Sequence, residues 1–325
     1  MKWAILPLCA LCVGGCARPK PVELELPAAW ETPLADSMAR EGSIGHWRWW
    51  KGLGDPLLTM VLEELLSDNP DLGRMAPMAQ FSAELKRDYG QLWHQLAIEA
   101  ARSYFELRSA QKLLSLHEES VQAQRETVQI TQTLVQAGLA NAIGEGQAMR
   151  TLQLLEVRRP ELELAVRQAN YRLAQTTGHP PVALARLLEV GEATLMLPCS
   201  WPVGSPSELL CTRSELIKAK RAKEPYGYKK AVLGAIVEAE QALASFLSHE
   251  QKRELLDGVL GLSCQLYQET LELYRRGLVS YLDLERSQRT LIEAKEALVE
   301  NEKQLLLDYV AFYSEVHGRM REACR

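Results

Sequence analysis

Aromatic side chains are scarce, at 6% of 325 residues, while Leu, Ala, Glu and Gln crowd the middle of the chain. That balance excludes sandwiches and barrels and leaves long helices or coiled coils. Surplus positive charge is missing as well. The formal net charge is −5, so a mildly acidic surface offers no electrostatic ground for a nucleic-acid partner. Histidine is sparse and scattered: His46, His94, His117, His179, His249 and His317 stand at no ligand spacing to Cys, Asp or Glu, and each reads as a surface residue. No Ser–His–Asp or Cys–His arrangement can be assembled from them, so an enzyme is not expected, and neither is a cofactor or a metal. Gly144-Glu-Gly146 is a lone fragment of a glycine-rich loop with no strand before it, too little for a nucleotide site. Of the 7 cysteines, Cys9, Cys12 and Cys16 lie near the start. Cys199, Cys211, Cys264 and Cys324 match no zinc spacing. In an oxidising compartment Cys199 and Cys211 can pair, since both lie in a loop-like stretch.

The first residues set the compartment. Lys2 supplies a minimal positive region, and Ile5 to Val13 form an apolar run too short to span a bilayer. Val13-Gly14-Gly15-Cys16 then puts two small residues before a cysteine. This resembles a bacterial lipobox, in which Cys16 becomes the lipidated first residue and acyl chains hold it in a leaflet at ~0.8 kcal/mol per buried CH₂. Ala17 in place of aspartate then implies export to the outer membrane. An ordinary cleaved signal with an incidental cysteine is the other reading.

Along the chain, Asp55-Pro56 signals a helix start, and Asn69-Pro70-Asp71 ends one helix and begins another. From about residue 85, Leu107, Leu114, Val121, Val128 and Val135 fall seven apart until Gly138 breaks the run. The returning segment alternates steps of four and three through Ala148, Leu152, Leu155, Arg159, Leu162, Val166, Ala169 and Leu173. This is the heptad pattern of two packed helices joined by a tight tip. Pro160 inside the second helix predicts a kink. After an irregular, proline-punctuated stretch the scheme recurs: Val232, Ile236, Ala239, Leu243 and Phe246, then Leu256, Leu260, Tyr267, Leu271 and Tyr274, a break at Gly277, and Leu284, Leu291, Leu298, Leu305 and Phe312. Gly138 matches Gly277 and Gly178 matches Gly318 at nearly equal distances, so the chain is two copies of one hairpin. Helices of ~50–70 Å follow from the helical rise. Such rods leave apolar faces that need neighbouring subunits.

The expected fold is all-α: two repeated antiparallel coiled-coil hairpins, with β-barrel strands absent or vestigial. The expected divisions are a signal peptide (1–15), a lipid anchor and extended leader (16–45), short N-terminal helices (46–84), the first hairpin (85–178), a linker with a short helix (179–224), the second hairpin (225–318) and a tail (319–325).

Gly277-Leu-Val-Ser-Tyr-Leu-Asp283, Gln288-Arg-Thr-Leu291 and Ala294-Lys-Glu-Ala-Leu298 resemble the second hairpin of TolC-like outer-membrane efflux factors, in particular the lipoprotein branch. Gly138-Leu-Ala-Asn, Gln147-Ala148 and Leu152 resemble the first, and Trp49-Trp50, Asp55-Pro56, Asn69-Pro-Asp-Leu72, Tyr104-Phe-Glu-Leu-Arg108 and Leu197-Pro198 through Leu210 stand in the family's order. The resemblance implies a homotrimeric tube passing small molecules across the outer membrane, with hairpin tips meeting a periplasmic adaptor and an inner-membrane pump. It also implies two strand excursions, and the sequence departs there. Asn69 reaches Tyr104 with no alternating segment, and so does Ser207 to Val237. A spanning strand needs ~9–11 alternating residues, so no membrane barrel is expected.

On the resemblance, Asp283 stands where an acid narrows the channel mouth, and Arg286 stands where a second acid is usual, which would neutralise such a ring. The bland reading of Asp283 is an acid that starts a helix and complements its dipole. Gly138, Leu139, Gly277 and Leu278 are the tip residues expected to touch an adaptor. Trp47, Trp49 and Trp50 serve either as interface anchors or as packing for the N-terminal segment. Two functions stay open: an efflux channel component, or a barrel-less lipid-anchored scaffold or degenerate, non-conducting homologue.

Overall fold

A computed structural model of the chain describes residues 27, 29–32, 48–188, 195–197, 206, 216 and 225–316. Cys16, His46, Trp47, Cys199, Cys211, His317 and Gly318 lie outside the described residues. Those described are almost wholly helical, and none among them is in a strand.

Two short helices come first, α1 (Pro56–Glu63) and α2 (Pro70–Met75). The long α3 (Ala83–Gln136) and α4 (Ala142–Thr177) follow, then α5 (Pro181–Leu188). The second hairpin is α6 (Pro225–Arg275) and α7 (Tyr281–Val316). The duplication is plain in the lengths: a long helix of 54 or 51 residues descends to the tip and one of 36 returns. At the α-helical rise the long arms run ~75–80 Å and the short ones ~54 Å. The starts of α3 and α6 therefore project beyond the level at which their partners end. α4 runs on through Pro160 without interruption.

α3 packs along α4, and α6 along α7, while α3 and α7 join the two hairpins. The wall therefore reads α4, α3, α7, α6, with α4 and α6 as its outer helices. The expected seams are buried in part: Ala148, Ala169 and Leu173 on α4, where Leu152, Leu155, Leu162 and Val166 are half-buried and Arg159 is exposed, and more fully Val232, Ala239, Leu243, Phe246, Tyr267 and Tyr274 on α6 and Leu284, Leu291, Leu305 and Phe312 on α7. α3 differs. Only Leu107 and Val121 of its apolar ladder are buried, and its best-covered stripe towards the tip is His117, Ser120, Gln124, Thr127, Thr131 and Leu134. Lying between two neighbours, α3 has hydrogen-bonding partners on both sides, so polar residues can occupy its interior.

Away from the tips, the short helices pack around the rods and form the main core. Trp49 and Trp50 are buried there, Trp49 against Tyr309 and Tyr313, and Trp50 against Trp93. Each such side chain contributes ~1.5–3 kcal/mol on burial. Membrane anchoring by these two tryptophans is thereby ruled out, because the same rings are consumed in packing. Two caps tie this layer to the rods. Asp55 Oδ1 accepts from the amides of Leu57 and Leu58, and Oδ2 accepts from the Tyr104 hydroxyl at 2.7 Å. Burial, then Asp55, pushes the Tyr104 phenol upward, so it stays a donor. Asn69 Oδ1 caps α2, while Nδ2 donates to the Thr176 carbonyl at 2.7 Å.

His94 and His117 are buried, which corrects their reading as surface residues. His117 sits among Leu155, Arg158 and Glu296, between α4 and α7. Among the described residues neither ring finds a partner for its buried Nε2, a cost of ~1–3 kcal/mol each that a charged ring would increase. Burial lowers the pKa of both.

Candidate functional site

The two hairpin tips form the candidate site, and the same turn builds both. Leu134–Leu139 and Leu273–Leu278 each close with a six-to-one bond, Leu139 N to Leu134 O at 2.8 Å and Leu278 N to Leu273 O at 3.0 Å. Inside each lies a second bond, Gly138 N to Val135 O and Gly277 N to Tyr274 O. This C-terminal motif requires a left-handed residue, and Gly138 and Gly277 take it at φ 73° and 72°. The tips meet: a Cβ on Gly277 would lie 3.5 Å from Leu139 Cβ. Leu139 and Leu278 stand 61% and 67% exposed, an apolar pair left largely open at the extremity among the described residues.

Asp283 sits one turn beyond the second tip. Its amide donates to Ser280 Oγ at 3.3 Å, and its carboxylate accepts from the Ser280 amide at 3.1 Å and hydroxyl at 2.6 Å. That reciprocal pair is a capping box with aspartate in the third position. The Ser280 bonds, with help from Arg286, hold the carboxyl below its ordinary range. Asp283 and Arg286 are both exposed. In the first hairpin Asn141 caps α4 by accepting from the Gly144 amide.

Behind the tips lies a feature that apolar periodicity does not reveal. Thr131 donates to the Thr127 carbonyl, so the 2.7 Å contact between its hydroxyl and Tyr274 OH has the tyrosine as donor. Gln124 Nε2 donates to the Ala148 carbonyl at 2.9 Å and to Tyr281 OH at 3.2 Å, and thus joins α3, α4 and α7. Burial raises the Tyr274 and Tyr281 phenols, so both remain protonated at neutral pH. The signals were present as a seven-residue tyrosine ladder at 267, 274 and 281 and as polar three-four steps at 117, 120, 124, 127 and 131. Further from the tip, Arg158 meets Glu296 at 2.8 Å and Lys295 meets Glu119 at 3.4 Å between the hairpins. Such exposed pairs contribute ~0–1 kcal/mol each.

The outer faces of the wall are apolar and open. On α6, Leu255, Val259, Leu262, Leu266 and Leu273 are exposed in steps of four, three, four and seven. On α4, Ile143, Val157, Leu164 and Tyr171 keep a seven-residue register that Arg150 interrupts, with Leu154 beside them. Each outer helix thus carries a second coiled-coil seam facing away from its own hairpin. With apolar residues on its inner and outer faces, α6 alone among the described residues is long and apolar enough, by length and composition, to cross a membrane.

No group of three His, Cys, Asp or Glu residues among those described could hold a metal ion. Ser245, His249 and Asp308 do come together, but Asp308 stands in the middle, accepting from Ser245 Oγ at 3.0 Å and bonding His249 Nδ1 at 2.6 Å. That order clamps α6 to α7 and does not activate the serine.

No family model and no curated protein matches the sequence. Solved structures do match in shape. The outer-membrane channel OprN superposes with a TM-score of 0.72 at 18% identity, over 91% of this chain and 98% of that one. The CmeC outer membrane channel of Campylobacter jejuni gives 0.72 at 14%, over 93% and 95%. The open state of the MtrE outer membrane channel of Neisseria gonorrhoeae gives 0.69 at 13%, over 93% and 97%. The fold of this chain is the fold of these channel proteins.

Proposed function

We propose that this chain is the helical conduit of an outer-membrane efflux system, a lipoprotein of which three copies close edge to edge into a tube for small molecules. One observation carries the reading: a wall of four helices whose two outer members each present an unpaired apolar seam. The seam of α6 on one copy meets that of α4 on the next. Such a head-to-tail contact repeats around a ring when the rotation closes, and the number three comes from the family resemblance. Tip-level register supports the pairing, since both seams start within a turn or two of their tips and run upward together.

In this reading Leu139 and Leu278 with their glycines meet the periplasmic adaptor, which in turn joins an inner-membrane pump. Cys16 carries the acyl anchor in the outer membrane, with the body in the periplasm. Asp283 serves the capping box first, and any ring it forms at the mouth is tempered by Arg286. Solutes pass without chemistry.

A barrel-less scaffold that does not conduct is the second reading. It is favoured by the unbroken helix α3 from Ala83 onward and by the lack of strands among the described residues. Reconstitution separates the two. Discrete conductance in planar bilayers, with loss of solute export on gene deletion, supports the conduit. A trimer that is silent in bilayers and dispensable for export supports the scaffold.

A further inference from the structure

The sequence that leads into α6 and opens it has a composition unlike the rest of the chain. From residue 218 to 237 the sequence holds Lys218, Lys220, Arg221, Lys223, Lys229 and Lys230 against one acid, Glu224, in a protein whose net charge is −5. Within that stretch Tyr226 is 73% exposed, and Leu233 and Val237 are about half exposed. Lys230 is exposed and Lys229 half-buried. In the first repeat, the chain entering α3 ends likewise in an open aromatic, Phe81 at 84%, with Met78 beside it. Tyr226 lies about fifty residues before its tip and Phe81 nearly sixty, hence ~75–85 Å away by helical rise. An open aromatic ring at each projecting end, with Lys229 and Lys230 at one of them and a basic sequence leading into it, is the pattern of a bilayer interface.

The leader gives the direction. Glu240 accepts from the amides of Glu31 and Thr32 and from the Thr32 hydroxyl, the last at 2.7 Å. Pro27, Ala29 and Glu31 line an open groove with Ile236, Val237 and Glu240. Traced backwards from Thr32, the chain therefore climbs α6 towards Tyr226. Ten residues lie between Pro27 and Cys16, a reach of at most ~40 Å. The described part of the leader, from Thr32 back to Pro27, thus points towards the Tyr226 end of α6 and away from the tips.

We propose that the start of α6, centred on Tyr226, Lys229 and Lys230 and assisted by Phe81, docks directly on an anionic lipid surface. The acyl anchor is not needed for the contact. Only the choice of membrane rests on the outer-membrane reading above. Docking of this kind stands the rods upright and presents the tips at full length from the leaflet.

The test uses the full chain carrying Cys16→Ser, so that no acyl chain contributes. Hydrogen exchange is followed with phosphatidylcholine vesicles, with or without about one-third phosphatidylglycerol. The expected result is protection confined to residues 225–237 and 78–85, present only with the anionic lipid, while the tip segments 134–141 and 273–280 are unchanged. Tyr226→Ser with Lys229→Glu and Lys230→Glu removes it and lowers vesicle partitioning by about tenfold or more. Unchanged helical circular dichroism excludes unfolding of this variant. Protection that is equal on neutral vesicles, equal at the tips, or produced by a soluble polyanion but not by vesicles overturns the proposal. If the native acylated protein binds vesicles while the Cys16→Ser chain shows no protection, the anchor reading survives and this one falls.

Discussion

Tyr274 and Thr131 should be energetically coupled, and the sign pattern of that coupling is distinctive. Thr131 Oγ1 gives its proton to Thr127 and receives one from Tyr274 at 2.7 Å, and both side chains are buried. Tyr274→Phe removes one neutral hydrogen bond but strands no donor, because the threonine proton is still placed. The expected loss is ~1 kcal/mol. Thr131→Val is worse, for it leaves the buried Tyr274 hydroxyl with nothing to donate to, at ~1–3 kcal/mol. In the double variant the orphan is gone, and two apolar groups of similar shape meet. Its cost should fall below the sum of the singles by about 1 kcal/mol or more. Urea unfolding followed by helical circular dichroism, in the detergent that extracts the native protein, gives all four corners of the cycle. Additivity within ~0.3 kcal/mol would refute the lock between the hairpins.

Other expectations follow from the same geometry. Gly178 is left-handed at φ 78°, and an added Cβ would stand 2.6 Å from Pro70 Cδ, whereas Gly138 at φ 73° faces open space. Gly178→Ala should therefore cost ~2–4 kcal/mol and Gly138→Ala ~1 kcal/mol. Adding Pro70→Ala should recover part of the difference, and equal melting temperatures for the two alanine variants would contradict this. His94 and His117 have folded pKa values depressed below the ordinary 6.5, so the unfolded chain binds protons first as pH falls. Stability is full above pH 6.5 and declines as pH drops from there towards the folded values. The double variant His94→Gln, His117→Gln should flatten that slope in pH-dependent melting, and an unchanged slope would rule these residues out. Leu262→Glu with Leu266→Glu should convert the assembly to single chains by light scattering while leaving the hairpin helical. A complex of unchanged mass would remove α6 from the subunit contact.

Much of the fold was legible because coiled-coil hairpins advertise themselves by period. The tips were marked by Gly138 and Gly277, the caps by Asp55 and Asn69, and both helices of the second hairpin by apolar seams that are buried in large part. The expectation failed where burial is polar. A search for apolar steps passes over His117, Gln124 and Thr131, whose interior places are secured by hydrogen bonds to side chains and carbonyls distant in sequence. Trp49 and Trp50 were ambiguous for a related reason, since an aromatic cluster reads alike whether it meets lipid or Tyr309 and Tyr313. The outer seam of α6 was hidden by its inner one. Two heptad patterns on one helix fill the sequence with leucine, and only the placement of α7 tells which leucines are left over.

If the open seams of α4 and α6 cover each other between copies, a probe on one must meet the other. Replacing Val157 with a photoreactive phenylalanine in the native, membrane-extracted protein tests this most directly, with cross-linked peptides read by mass spectrometry. Counting equal numbers of residues from the two tips, Val157 should capture α6 of a neighbouring copy near Leu255 to Val259, in a species of three chains. Capture only within one chain, α4 joined to α4, or a product that never exceeds a single subunit would contradict the account.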